Sequence, residues 1–313
     1  MLVLVGPTAS GKTAVALELA RKLESEIISA DSRQVYKFLD IGTAKPSREQ
    51  LRRVHHYFVD ELLPDQEFNA GVFGEKGRMV IATLLRRGTT PIVVGGSGLY
   101  IQSLIDGLFE GPGADKDFRE SLERRIKEGG LAQLVEELRA VDPDSAARID
   151  PTKPRRVIRA LEVYHATGKP LSRHHREANI TIDFIPVMVG IDWERKTLYE
   201  RINRRCDEMI AAGLLAEVEN LEKLGYVPPL NALNTVGYAE AFAYRRGEIS
   251  YQEMVRLIKQ NTRRYAKRQL TWFRRDKRIH WVQATEATTP DELAGKILLL
   301  LERTIAAKTS SDT

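Results

Sequence analysis

The stretch Leu2-Val3-Leu4-Val5-Gly6-Pro7-Thr8-Ala9-Ser10-Gly11-Lys12-Thr13 decides the fold. An apolar run enters a glycine turn, and residues 6–13 match the phosphate-loop pattern G-x-x-x-x-G-K-[ST] in full. A helical pattern starts at the lysine, with Ala14, Leu17, Leu19, Ala20 and Leu23 on its apolar face. Strand, glycine turn and helix form the context this motif requires. Glycines let backbone N–H groups curl around a phosphate, and the helix N-terminus adds positive potential. Gly6, Thr8, Ala9, Ser10 and Gly11 are the expected cradle. Lys12 reaches the phosphate oxygens, and Thr13 is suited to hold a Mg²⁺ that bridges them. The motif specifies a phosphate ligand and leaves the reaction open.

Strand and helix alternate on either side of it. Glu26–Ser29 reads as a strand ending at Ala30-Asp31-Ser32, and Pro91–Val94 as another ending at Gly95-Gly96-Ser97-Gly98. Helices are predicted near 74–87 and 99–105, with 40–70 loop-rich. The pattern implies an α/β fold: a P-loop NTPase-like core with a parallel sheet flanked by helices. Gly107, Gly111, Pro112 and Gly113 then punctuate the chain, and 115–167 reads as helix after helix. We therefore expect 1–112 as the first part of the core, 113–180 as an all-helical insertion domain, and 181–313 as the second part. Residues 168–179 read as a polar loop and 182–191 as a strand. Helices follow at 195–211, 214–224, 236–245 and 251–274, with a last strand at 279–282 and a frayed tail at 308–313.

The 313 residues are 42% hydrophobic and 29% charged, which excludes a disordered chain. Cys206 is the single cysteine, so neither a disulfide scaffold nor a cysteine zinc site is possible; in its helix it reads as packing. No apolar run approaches the roughly 18 residues of a membrane span. Met1–Val5 lacks a basic lead and reads as a strand and not a signal peptide, so a cytoplasmic address is expected. His55-His56 and His174-His175 do not read as metal sites, because adjacent side chains diverge on regular structure.

Net charge is +5, but residues 256–280 hold ten Lys/Arg against Asp276 alone, so this segment is +9 and the remainder −4. Arg256, Lys259, Arg263 and Lys267 share one helical face, while Ile258, Tyr265 and Trp272 repeat on another. A solvated face is the ordinary explanation for such a run; the one-sided sign favours a phosphate backbone. Arg155, Arg156 and Arg159 form a second basic cluster.

Ligands of open α/β sheets sit beyond the C-terminal strand ends. Asp31 there is a candidate general base or metal-shell ligand, or else a helix N-cap. Ser97, set among glycines that admit close approach, offers a hydroxyl to a phosphate oxygen or caps a helix.

Together these residues resemble the tRNA dimethylallyltransferase (tRNA isopentenyltransferase) family, bacterial type. The matching runs are 6–13, Ala-Asp-Ser-Arg-Gln-Val-Tyr at 30–36, Asp-Ile-Gly-Thr-Ala-Lys-Pro at 40–46, Gly-Gly-Ser-Gly-Leu-Tyr at 95–100, Arg-Ala-Leu-Glu-Val at 159–163 and Ala-Lys-Arg-Gln-Leu-Thr-Trp-Phe at 266–273. The family commonly has threonine where this chain has Ser97, which keeps the hydroxyl. The resemblance implies transfer of a dimethylallyl group from its diphosphate to N6 of the adenosine 3′ of the anticodon, in tRNAs reading codons that begin with U. It makes the phosphate loop a diphosphate site, Asp31 and Ser97 catalytic, and Mg²⁺ the cofactor. It assigns tRNA contacts to Asp31, Ser32, Arg33, Gln34, Ser97, Arg119, Arg155, Arg156 and Arg159, and we add Arg263, Lys267 and Arg268 from the basic helix. Gln34 would help to recognise the target base. Arg201 and Arg205 are candidates for diphosphate or tRNA. The partners implied are the tRNA anticodon stem-loop, clamped by the helical insertion, and dimethylallyl diphosphate; no membrane contact and a monomer are expected. The alternatives are a small-molecule kinase, a free-adenylate prenyltransferase and a non-catalytic RNA-binding module. The basic helix speaks against the first two, and the completed rim against the third.

Overall fold

A computed structural model of the chain describes residues 1–109, 115–177 and 182–309. The predicted punctuation at Gly111, Pro112 and Gly113, the domain boundary near 180, the side chain of His175 and the end of the tail lie outside the described residues. The chain divides into two compact units, Met1–Ile105 with Ile182–Thr313, and Asp106–Thr181.

The first unit starts with β1 (Leu2–Val5), α1 (Lys12–Lys22), β2 (Ile27–Ala30), α2 (Arg48–Arg53), β3 (His56–Tyr57), α3 (Ala70–Arg86), β4 (Ile92–Gly95) and α4 (Gly98–Ile105). The short α2 and β3 lie inside the stretch expected as loop. A capping box between Ser47 and Gln50 starts α2. The second unit is helical: α5 (Lys116–Lys127), α6 (Leu131–Val141), α7 (Pro143–Arg148), α8 (Pro154–Thr167) and α9 (Leu171–Glu177). Leu122, Leu134, Leu138, Val157 and Leu161 form its core. The predicted loop at 168–179 is in fact largely the helix α9. Buried Asp142 accepts from the Ser145 N–H at 3.0 Å and the Ser172 N–H at 2.9 Å, so one carboxylate caps both α7 and α9. The polar composition of 168–179 hid that long-range cap.

The first unit resumes with β5 (Val187–Trp193), α10 (Arg195–Ala211), α11 (Leu214–Lys223), α12 (Tyr238–Arg245), α13 (Tyr251–Phe273), β6 (Ile279–Ala284) and α14 (Pro290–Thr309). Among the described residues the sheet is six-stranded and parallel, in the order β3-β2-β4-β1-β5-β6. Leu2, Val3, Leu4 and Val5 are fully buried, as a central parallel strand covered on both faces requires. Register then fixes the site. Val5 pairs with Gly95 and with Gly190, and Ala30 pairs with Gly95, so the residues after β1, β2 and β4 emerge side by side.

Candidate active site

Backbone conformation builds the phosphate loop. Ala9 (φ 63°) and Gly11 (φ 87°) are left-handed, and Gly6 has φ 151°. A Cβ on Gly6 would meet Ser10 Oγ at 3.1 Å and the Ile191 carbonyl at 3.3 Å. Trp193 Nε1 donates to the Ser10 carbonyl at 3.0 Å, tying the loop to the end of β5. Thr8, Ala9, Lys12 and Thr13 line a cavity of ≈ 150 Å³, to which Asp31, Arg33, Gln34, Gly96 and Arg205 also contribute.

Three cations converge here. Lys12 Nζ donates to the Pro7 carbonyl at 2.6 Å and lies 3.5 Å from Ser10 Oγ. Arg201 Nε donates to the Ala9 carbonyl at 3.0 Å while its guanidinium lies 4.1 Å from the centre of the Trp193 ring. Arg205 Nη1 lies 3.4 Å from Thr8 Oγ1. Burial, then the charge of Arg205, pulls Lys12 down to about 7, against the opposing pull of Asp31. Burial also lowers Arg201 and Arg205. Three cations brought together and partly withdrawn from solvent make a site for a multiply charged anion. The structure thus brings both arginines to the phosphate loop, from a helix whose sequence carries no recognisable signature.

Asp31 caps its own turn: Oδ1 accepts from the Arg33 N–H at 2.8 Å and the Gln34 N–H at 3.4 Å. Ser97 Oγ accepts from the Ser32 N–H at 3.1 Å, joining the ends of β2 and β4 and leaving its own hydroxyl proton available for donation. Arg33 lines the cavity, with Nη2 3.4 Å from the Asn234 carbonyl. Gln34 faces inward. Its Nε2 lies 3.3 Å from the carbonyls of Thr43 and Ala44, and its Oε1 accepts from Ser29 Oγ at 3.1 Å. The expected base-reading amide is therefore engaged in holding residues 43–44.

The glycines at 95–98, of which Gly95 and Gly96 line the cavity, also serve packing within the chain. A Cβ on Gly95 would come 2.0 Å from the Ala30 carbonyl, one on Gly96 2.2 Å from Gln269 Nε2, and one on Gly98 2.3 Å from the Trp272 ring. The run is glycine to let β2 and α13 approach. Gln269, absent from the predicted site, is buried and bridges the phosphate loop and the loop after β4: Nε2 donates to the Gly96 carbonyl at 2.9 Å, and Oε1 accepts from the Thr8 N–H at 2.8 Å. Tyr265, one turn earlier, lines the cavity; burial, then the charge of Asp31, pushes its phenol up to about 12, so it stays a donor. Cys206 is buried along the cavity with Sγ 3.7 Å from Thr262 Oγ1, and burial raises its pKa.

The basic helix is less free than its sequence indicates. Lys259 pairs with Asp207 at 2.6 Å, Arg256 with Glu253 at 2.6 Å, and Arg274 with Asp192 at 3.2 Å. Arg263 Nη1 donates to Asn203 Oδ1 on α10 at 2.5 Å. Lys267 and Arg268 are exposed, Arg268 above the Tyr265 ring. Within the helical unit, Arg119 forks buried Glu162 at 2.6 and 2.9 Å, and Arg159 approaches it at 3.9 Å. Arg155 and Arg156 are exposed in the first turn of α8, which holds no acid; cations at a helix N-terminus leave room for a bound anion.

A parallel α/β core with a lysine-bearing phosphate loop, two half-buried arginines and a strand-end carboxylate is that of a P-loop-type transferase. The chain belongs to the IPP transferase family, whose sequence profile matches residues 34–276. It is 48% identical to the tRNA dimethylallyltransferase of Salinibacter ruber, over 93% of this chain and 90% of that relative. It is 49% identical to that of Geobacter metallireducens, over 90% and 92%. Among solved structures it resembles the tRNA isopentenylpyrophosphate transferase of Bacillus halodurans (TM-score 0.74, 36% identity, 99% of this chain and 98% of that one). It also resembles a eukaryotic dimethylallyltransferase described as acting on tRNA (TM-score 0.79, 26% identity, 98% and 79%). Among the described residues no helix is long and apolar enough to cross a membrane.

Proposed function

We propose that this chain transfers a dimethylallyl group from dimethylallyl diphosphate to N6 of the adenosine 3′-adjacent to the anticodon, in tRNAs reading codons that begin with U. The relatives' shared name supports the reaction class. The observation that carries the reading is the convergence of Lys12, Arg201 and Arg205 on one phosphate loop beside Asp31. The cations would hold the diphosphate, which leaves with the electron pair of its C1–O bond as N6 bonds to C1. Asp31 would take the N6 proton, and Ser97 would donate to the departing oxygen. The exocyclic amine is a weak nucleophile, so proton removal must keep pace with carbon–nitrogen bonding. The adenine would be turned out of its stack to reach the cavity.

Mg²⁺ fits the donors present. The Thr13 hydroxyl is a hard oxygen at the cavity, and among the described residues no His/Cys/Asp/Glu cluster offers a cage of its own. Bound there with diphosphate oxygens and water, the ion would neutralise leaving-group charge. We assign RNA-backbone contacts to Lys267, Arg268, Arg155 and Arg156, with the helical unit clamping the anticodon stem. We take the protein to act as a monomer, and the tRNA substrate suits the cytoplasm.

The test incubates the protein with unmodified tRNA, Mg²⁺ and radiolabelled dimethylallyl diphosphate, with AMP and ATP as parallel acceptors. Label in tRNA alone is expected, and Asp31→Ala should keep tRNA binding and lose turnover. Label in AMP or ATP would replace this reading with a free-nucleotide prenyltransferase. No label at all would reopen the kinase.

A further inference from the structure

Outside the diphosphate cradle, the most heavily bonded carboxylate beside the cavity is Glu217, in the first turn of α11. Its Oε2 accepts from the N–H groups of Asp40 at 2.9 Å and Ile41 at 2.7 Å. Its Oε1 accepts from the Gly42 N–H at 3.0 Å and from the Tyr238 hydroxyl at 2.5 Å. Successive backbone amides closing on one carboxylate form an anion nest occupied from within the chain. Tyr238 is fully buried, and burial together with Glu217 holds its phenol in the protonated, donating form. Gly42 must be glycine, because a Cβ there would lie 2.4 Å from the Tyr238 ring. The far end of the same loop is fastened by Lys45, which donates to the Tyr36 carbonyl at 2.9 Å and pairs with Asp40 at 2.5 Å and with Asp60.

The loop so fixed is a wall of the cavity, through Gly42, Thr43 and Ala44. Its carbonyls at 43 and 44 hold the Gln34 amide, and the Gln34 N–H bonds to Asp31 Oδ1. Glu217 does not itself line the cavity. Whatever it does to the reaction passes through this chain of hydrogen bonds.

We propose that Glu217 is a positioning residue for the transfer reaction, an inference that rests on the function proposed above. It sets residues 40–44, these set Gln34, and the Gln34 turn aims the Asp31 carboxylate. A glutamine at 217 presents an NH₂ group to amides that need an acceptor, so the loop must shift. A misplacement of about 1 Å near a reacting centre costs up to about a hundredfold in rate.

Single-turnover labelling of tRNA from radiolabelled dimethylallyl diphosphate tests this, with the Kd of inorganic diphosphate as the second readout. Glu217→Gln should lower the transfer rate about ten- to thirtyfold, within the range that misplacement allows, with diphosphate affinity unchanged within about twofold. Tyr238→Phe keeps the carboxylate and removes one donor; about a threefold loss is expected, the scale of a single hydrogen bond. If Glu217→Gln does not fold, Tyr238→Phe decides in the same terms. The discriminating readout is the double variant. On an Asp31→Asn background Glu217→Gln should add almost nothing, because both changes remove one function. Native transfer in Glu217→Gln, a full multiplicative loss on Asp31→Asn, or a parallel loss of diphosphate binding would each overturn the proposal. Failure of the unmutated protein to label tRNA would instead sink the transfer reading itself.

Discussion

Diphosphate binding should draw a proton from solvent at pH 8 and almost none at pH 6. Lys12 lies at about 7 in the free protein, against an ordinary 10.5, because burial and Arg205 oppose its charge. A diphosphate in the cradle supplies the opposite charge and returns the ammonium toward its ordinary value. Uptake is then about nine-tenths of a proton at pH 8 and about a tenth at pH 6. The bound state holds the extra proton, so affinity weakens as pH rises through 7, at most about tenfold per pH unit. Calorimetric titration of inorganic diphosphate in buffers of different ionisation enthalpy measures the uptake directly. Lys12→Arg, whose guanidinium stays charged, corrects for protons carried by the ligand. Equal uptake by the two proteins at pH 8 would refute the reasoning. The same shift acts on folding with a definite sign. The unfolded chain holds the Lys12 proton up to about 10.5, whereas the folded one releases it near 7. Stability of the free protein should therefore rise with pH across that window, by at most about 1.4 kcal/mol per unit from this group. Its penalty is largest below pH 7.

Replacing Lys267 and Arg268 with glutamine should flatten the salt dependence of tRNA binding by a slope of about one to two. Arg263→Gln should cost about 1 kcal/mol of stability in urea melts through the lost Asn203 contact; an unchanged melt would show that this contact contributes nothing. Arg119→Ala should destabilise the protein by about 2 kcal/mol in urea, because Glu162 is left buried with a partner lost while Arg119 itself is 42% exposed. Gly95→Ala should abolish soluble expression, given 2.0 Å to the Ala30 carbonyl, whereas Gly295→Ala in α14, with nothing within 4 Å, should raise the melting temperature slightly.

What was legible in the sequence was local. The phosphate loop advertises itself because its partners, Gly6 through Thr13, are consecutive, and Asp31 follows a short apolar strand whose end had to sit at the same rim. Helices α10 to α13 were visible from their apolar periodicity. Arg201 and Arg205 were candidates already, but what they and the remaining site residues touch depends on partners far along the chain. Arg201 and Arg205 act on Ala9 and Thr8, which lie 192 and 197 residues away. Glu217 reaches back 175 to 177 residues to its amides. No spacing rule links such pairs. Charge was incomplete in one respect: Arg256, Lys259, Arg263 and Lys267 share one helical face in the sequence, yet Lys259 and Arg263 meet Asp207 and Asn203 of α10. Gln269 was overlooked because a neutral amide within a basic run carries no signal of its own.

The bond from Thr8 to Gln269 spans 261 residues. During synthesis the phosphate loop leaves the ribosome 261 residues ahead of the amide that fastens it. Central strand β1 likewise waits for β5, its neighbour on one side. A nascent or truncated chain ending before α13 would therefore carry the whole phosphate-loop motif without the staple that fixes it. The phosphate loop is fastened at Thr8 only once the helix that carries the exposed Lys267 and Arg268 is also in place.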